Sequence, residues 1–258
     1  MAENTNTTEK KVSRPRKQRR NTLRPMEFLY QQIYDTNSNT VLGYDAVLYI
    51  NDKKLGTLSY DRISGICDRN NLSARVGKWQ ITEVCEMLVR KAEAGKNVHR
   101  VFITLSSKYV GKPKFVEDFE RILNKYQIEH NRFCIQIREP ELNFAQPELL
   151  TNFDVLREKG VKIAITEFGA ESSSILKLTN LHVDYIKLDP AFAEDIDTNE
   201  RTAGVTESAI ELADKLGYLV IADGVDTREQ LRAMNKLRCF LIEGRHFSVP
   251  EREDEAIH

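Results

Sequence analysis

The chain has 258 residues, 41% apolar and 30% charged, enough to bury a sizeable core as one α/β barrel or two small domains. No apolar run approaches the ~20 residues of a membrane span, and the polar opening MAENTNTTEK lacks the apolar stretch of a secretory signal, so a cytoplasmic location is expected. The net charge of −1 conceals an asymmetry: eight Lys or Arg and no acid between Lys10 and Arg24, against four acids and one Arg in the last eight residues. Cys67, Cys85, Cys134 and Cys239 lack CxxC spacing and read as buried free thiols rather than a disulfide framework or metal site.

Residues 1–25 are polar and basic with almost nothing to bury, the composition of a disordered tail. Within it, residues 10–24 suit nucleic acid or an anionic membrane, each basic residue adding about 1 kcal/mol near an anionic surface. A solvated arm is the plainer alternative. Phe28–Tyr34 and Leu42–Ile50 read as strands about the turn-rich Asp35–Asn39, which predicts a hairpin. Helices are expected at Tyr60–Arg69 and Lys78–Ala94; in the second, Trp79, Val84, Met87 and Leu88 recur at a spacing of about 3.6.

Strands and helices then alternate. Strands are expected at His99–Leu105, Phe133–Ile137, Val161–Ile165, Val183–Leu188, Tyr218–Ala222 and Phe240–Leu241. The helices between them are Lys114–Tyr126, Pro147–Lys159, Ser172–Leu178, Glu200–Leu216 and Thr227–Lys236. Short apolar strands alternating with helices imply a parallel sheet covered on both faces. About seven parallel strands after an initial hairpin strand fit an α/β fold of the TIM type, a (β/α) barrel over residues 26–250 with one antiparallel strand near the N-terminus. An open doubly wound sheet is the alternative, but no Gly-rich phosphate turn follows the first parallel strand. Residues 251–258 read as an acidic C-terminal tail.

In such a barrel the functional face lies at the carboxyl ends of the strands. Those ends carry Asp45 with Tyr49, Thr104, Gln136 with Glu139, Thr166 with Glu167, Lys187 with Asp189, Asp223 with Asp226, and Glu243. Any one of these alone is more often a loop or helix-cap residue. Their concentration on successive strands points to a site or the remains of one.

Five ordered motifs over about Phe28–Pro250 resemble the EAL domain, the family of bacterial cyclic-di-GMP phosphodiesterases. Leu42-Gly43-Tyr44-Asp45-Ala46-Val47 is similar to G-Y-E-A-L, and Phe168-Gly169 with Ser173-Ser174 is similar to D-D-F-G-x-G-x-S-S-L. Lys187-Leu188-Asp189-Pro190-Ala191-Phe192 resembles K-I-D-x-x-F, and Ala222–Thr227 with Glu229-Gln230 resembles A-E-G-V-E-T-x-x-Q. Glu243-Gly244 through Pro250 resembles the closing Q-G-Y-x-F-x-x-P.

The resemblance implies a two-metal phosphodiesterase that uses Mg²⁺ or Mn²⁺, with ions held about 3.5–4 Å apart by oxygen ligands. Mg²⁺ tolerates little deviation from about 2.0–2.1 Å. The positions implied as metal ligands carry Asp45 for glutamate, Thr104 for asparagine, Gln136 for glutamate, Thr166-Glu167 for the double aspartate, and Asp223 for glutamate. Asp226 replaces the second glutamate of A-E-G-V-E, and Glu243 replaces the closing glutamine. Lys187 keeps the family's type, yet a lysine beside the water has little to assist without metals. Lys187, Glu167, Asp226 and Glu243 are thus read as a vestigial catalytic set. Arg138, in place of a threonine, brings positive charge near a vacated metal position if it points inward.

For ligand binding the resemblance implies Asp45, Tyr49 and Asp189. Tyr49 stands where the family has a phosphate-contacting arginine, a loss on the order of 1.5–3 kcal/mol for a charge-assisted contact. Glu139 matches the glutamate implied to order the loop after the double aspartate, where dimers form. These substitutions predict a degenerate, catalytically silent member. It would act as a regulatory or interaction protein in, or derived from, cyclic-di-GMP signalling, through a protein partner or homodimer and with no cofactor. The alternatives are a cyclic-di-GMP receptor without turnover and a weak Mg²⁺- or Mn²⁺-dependent phosphodiesterase.

Overall fold

The computed structural model describes residues 26–52, 54–142, 146–170 and 178–258, with the side chain of Asp61 also left out. The basic segment 1–25 and most of the expected helix at Ser172–Leu178 lie outside the described residues.

β1 (Met26–Asp35) and β2 (Thr40–Asp52) form the expected antiparallel hairpin, with Asp35 Oδ1 accepting the Asn37 and Ser38 N–H groups at 2.9 and 3.4 Å in the turn. A short β3 (Gly56–Ser59), not anticipated from sequence, pairs antiparallel with the far end of β2. β2 then pairs parallel with β4 (Val101–Thr104), followed in order by β5 (Phe133–Arg138), β6 (Lys162–Phe168), β7 (Tyr185–Leu188), β8 (Leu219–Ala222) and β9 (Leu241–Ile242). β1 lies antiparallel between β9 and β2 and closes the barrel, leaving β3 outside it. This is the TIM-type barrel with one reversed strand that the alternation predicts.

The helices cover the outside: α1 (Tyr60–Arg69), α2 (Ser73–Glu93), α3 (Ser107–Val110), α4 (Phe115–Tyr126), α5 (Pro147–Glu158), α6 (Glu200–Lys215) and α7 (Arg228–Lys236). α2 begins five residues before the expected Lys78. Gly77 hid its first turn, because glycine argues against a helix interior. Packing explains the glycine: a Cβ there would lie 2.4 Å from the Tyr109 ring. α7 starts on a capping box, Thr227 Oγ1 accepting from Gln230 N at 3.2 Å and Gln230 Oε1 accepting from Thr227 N at 2.9 Å. That exchange satisfies helix-end donors and fixes the loop that carries Asp223.

The main core fills the space between barrel and helices; Phe119 of α4 meets Phe133 of β5 edge to face at 5.4 Å. A second cluster lies inside the barrel: Ile33, Phe102, Cys134, Ala164, Tyr185 and Ile221, with Leu42 and Leu241 against it. All four cysteines are buried and free, as their apolar contexts suggest.

Residues 251–258 are part of the body rather than a separate tail. Glu251 bridges to Tyr30, and α8 (Glu253–Ala256) is followed by buried Ile257. Lys91 Nζ donates to Glu253 O at 2.8 Å and Ile257 O at 3.0 Å, while Arg90 Nη2 meets Glu253 Oε2 at 2.6 Å. Glu253, which read as part of a solvated end, is a docking group for α2, and two apolar residues were too few to show it by pattern. This clasp ties β1 to α2 beside one of the two shortest seams of the barrel, since β9 meets β1 and β8 at two residue pairs each, whereas β1 meets β2 along its whole length.

Candidate functional site at the barrel mouth

Side chains two apart on a strand share a face. The inner apolar layer therefore dictates what stands above it. Two residues nearer the mouth than Ile33, Phe102, Cys134 and Ala164 come Gln31, Thr104, Gln136 and Thr166. Above Tyr185, Ile221, Leu241 and Gly43 come Lys187, Asp223, Glu243 and Asp45. Every strand of the barrel thus contributes a polar side chain to one ring. Gln31 was missed from sequence because β1 runs the other way, so its mouth residue comes early in the strand rather than at the carboxyl end. Its amide Nε2 donates to Ser248 O at 2.8 Å.

Lys187 stands at the centre, its side chain 4% exposed. Its Nζ lies 2.6 Å from Asp45 Oδ2, 2.8 Å from Glu243 Oε2 and 3.5 Å from Asp223 Oδ2. Gln136 Nε2 donates to the other Asp45 oxygen at 2.8 Å and reaches Thr104 Oγ1 at 3.4 Å. Both Asp45 oxygens are therefore taken by N–H donors. Glu243 Oε2 has ion-pair distance to the lysine but no aligned hydrogen bond, and Gln136 Oε1 also lacks one among the described residues. The Glu243 contact is held by charge rather than by direction.

Three carboxylates face one ammonium, and the titrations reflect it. Burial pushes Glu243 well above its ordinary range, with the Asp45 and Asp223 charges adding and Lys187 opposing. Burial also raises the Asp223 carboxyl, although its side chain is 27% exposed at the mouth. Burial disfavours the Lys187 charge, but the charges of Asp223, Asp45 and Glu243 outweigh it and hold the ammonium well above its usual value. The ring keeps its own cation.

Other expected residues lie around this ring rather than in it. Arg138, two beyond Gln136 on β5, turns toward α1: Nη2 donates to Ser64 Oγ at 2.5 Å and Nε to Glu141 Oε1 at 3.0 Å, with Glu167 Oε1 3.8 Å from Nη1. It does not fill the ring centre. Glu167 occupies the left-handed region at φ 56°, a strained choice for a side chain with a Cβ. Buried Glu139 accepts the Gly169 N–H at 2.6 Å, tying the end of β5 to the turn after β6; the rest of that loop, from 171 to 177, lies outside the described residues.

Asp189 caps the turn Pro190–Phe192 by accepting from Ala191 N at 2.9 Å. Asp226 faces outward to Arg245, accepting its N–H at 2.9 Å and its Nε at 2.8 Å, and Arg245 holds the Asp226 carboxyl below its usual range. Arg245 was not anticipated: the pair joins two loops 19 residues apart, a distance no local pattern reports. Tyr49 is half-buried on β2 opposite Ser59, outside the ring. Gly244 lets the last two loops touch, since a Cβ there would lie 2.1 Å from Val225 O. That contact, with Val225 N donating to Glu243 O at 3.1 Å, places Glu243 beside Asp223.

Comparison with known proteins agrees with this architecture. The family model of the EAL domain matches residues 16–250. Cyclic di-GMP phosphodiesterase NbdA of Pseudomonas aeruginosa is 27% identical over 225 residues, covering 87% of this chain and 29% of that protein. Oxygen sensor protein DosP of Escherichia coli is 23% identical, covering 89% of this chain and 29% of its own length. The chain thus spans less than a third of these relatives. Among solved structures, the PaMucR phosphodiesterase in complex with c-di-GMP has a TM-score of 0.81 at 20% identity, covering 90% and 94% of the two chains. The FimX EAL domain from Pseudomonas aeruginosa bound to c-di-GMP gives 0.78 at 17% identity, covering 88% and 91%. With barrel, strand order and motif positions in accord, the chain belongs to the EAL domain family.

Proposed function

We propose that this chain is a degenerate EAL-domain protein that works in, or derives from, cyclic-di-GMP signalling by binding rather than by hydrolysis, with a protein partner or a second copy of itself. The observation that carries this reading is the engagement of both Asp45 oxygens by Lys187 and Gln136 inside a buried ring. A two-metal centre needs lone pairs aimed at the ions. This ring instead aims an amide nitrogen and an ammonium at its best-placed carboxylate, offers a hydroxyl at Thr166, and sends Asp226 outward to Arg245. Among the described residues no group of three His, Cys, Asp or Glu is arranged to hold a metal ion. The residues do not fit a pair of divalent cations.

The direct test is incubation of the chain with cyclic-di-GMP and Mn²⁺ or Mg²⁺, following the linear dinucleotide by chromatography. The expected result is no product above buffer. Product forming in proportion to protein overturns the reading.

A second reading, a receptor without turnover, is favoured by the solved neighbours that carry c-di-GMP. Tyr49 in place of a cationic side chain and the acid excess at Asp223 and Glu243 oppose a dianionic ligand. Calorimetric titration separates the two: saturable binding tighter than about 10 μM favours the receptor. No described helix is long and apolar enough to cross a membrane. In this proposal the protein works in the cytoplasm, and residues 10–24 add an affinity for nucleic acid or anionic lipid.

A further inference from the structure

The outer face of α1 differs from the rest of the surface. Arg62, Ile66 and Arg69 recur along it at helical spacing, and Leu72 and Arg75 follow at the start of α2; all five are exposed. Ile66 is 50% and Leu72 41% exposed, and Leu55, at the tip of the β2–β3 hairpin that leads into α1, is 72% exposed. These three are half of the large apolar side chains exposed among the described residues, and they fall within one short stretch of chain.

Arg62, Arg69 and Arg75 have no ion pair among the described residues, a state shared by Arg201, Arg228 and Arg238, but here three such guanidinium groups fall close together in the chain. Two nearby acids whose side chains are described are hydrogen-bonded to other groups. Asp68 accepts the hydroxyls of Ser73 and Ser106, and Asp52 Oδ1 accepts the Lys54 and Leu55 N–H groups at 2.7 and 2.9 Å. Stacking of Phe28 on Trp79, at 5.6 Å, brings the start of β1 beside α2, one turn from Arg75.

We propose that the α1 face docks on an anionic lipid surface. Guanidinium groups interleaved with aliphatic side chains suit the headgroup boundary, where arginine stems lie along apolar surface and their heads meet phosphate. Nucleic acid would use the arginines but leave Leu55, Ile66 and Leu72 in water. The proposal goes beyond the reading of the barrel mouth and stands or falls separately from it.

The test is co-sedimentation of the full chain with phosphatidylcholine vesicles, with and without about 30 mol% phosphatidylserine, at about 0.1 M salt, where exposed charges are screened beyond about 10 Å. Binding is expected to the anionic vesicles only. The triple variant Arg62→Glu, Arg69→Glu, Arg75→Glu should lose about a hundredfold in partitioning, at roughly one Lys or Arg contribution per site. The pair Ile66→Ser, Leu72→Ser should lose about tenfold while keeping the salt dependence. If the charge reversal unfolds the protein, Arg→Gln at the three sites replaces it, with a matching thermal melt as the control. Failure to sediment with anionic vesicles overturns the proposal. So does unchanged binding by the arginine variants, including the case where deletion of residues 1–25 alone abolishes it. Displacement by a short DNA duplex, with the serine pair binding like wild type, overturns it in favour of nucleic acid.

Discussion

The barrel interior holds two layers built on the same strands, two residues apart and similarly enclosed. The lower layer, Ile33 to Ile221, is held mostly by apolar contact, with one polar tie where Arg100 Nη1 donates to the Tyr185 hydroxyl at 3.0 Å. The upper, Asp45 to Glu243, is held by one ammonium among three carboxylates. Burial without direction serves the floor, whose side chains need only fill space. The ring depends on charges that cannot be removed singly, because an uncompensated buried charge costs more than the pair contributes.

The largest effect that separates the layers is expected at Lys187. Lys187→Met leaves Asp45 and Glu243 facing each other without their cation and should lower stability by about 3–5 kcal/mol in urea denaturation. Adding Glu243→Gln to it should recover part of that loss. If the double variant is as unstable as the sum of the singles, the ring is not a charge-coupled unit. Next comes the floor: Ile33→Ala should cost about 2–5 kcal/mol, with the same loss at pH 5 and pH 7.

The smallest expected effect concerns pH. Folding raises the Glu243 carboxyl above its ordinary 4.5, so the folded state holds that proton more tightly than the unfolded chain. Its stabilising contribution is present below about 4.5 and is lost as pH rises toward the folded value, so stability should decline from pH 5 to pH 7. Denaturation midpoints should show this slope in wild type and a flatter one in Glu243→Gln, while Ile33→Ala keeps it. An identical slope in all three would remove the ring from the pH response.

Much of this was legible in the sequence, for identifiable reasons. Alternating apolar strands and amphipathic helices report the barrel because each period reflects a buried face. Seven of the ring's residues, from Asp45 to Glu243, were found by reading carboxyl ends; Gln31 escaped because that rule assumes a parallel strand. What the sequence does not display is which donor meets which acceptor. Lys187 and Asp45 are 142 residues apart, and Arg138 was placed near the site but its turn toward Ser64 depends on α1. Residues 251–258 misled because Glu253 resembles a solvated acid until Arg90 is seen opposite it.

That terminal clasp has a mechanical consequence. A closed barrel gives way first where its ladders are shortest, and β9 has two pairs on each side, toward β1 and toward β8. Tyr30, paired to Glu251, belongs to the same strand as Gln31 of the ring. The Glu251 bridge and α8, held by the amine of Lys91, therefore tie β1 to α2, and releasing the last eight residues would loosen the β1 wall of the mouth, which β9 holds by two pairs alone.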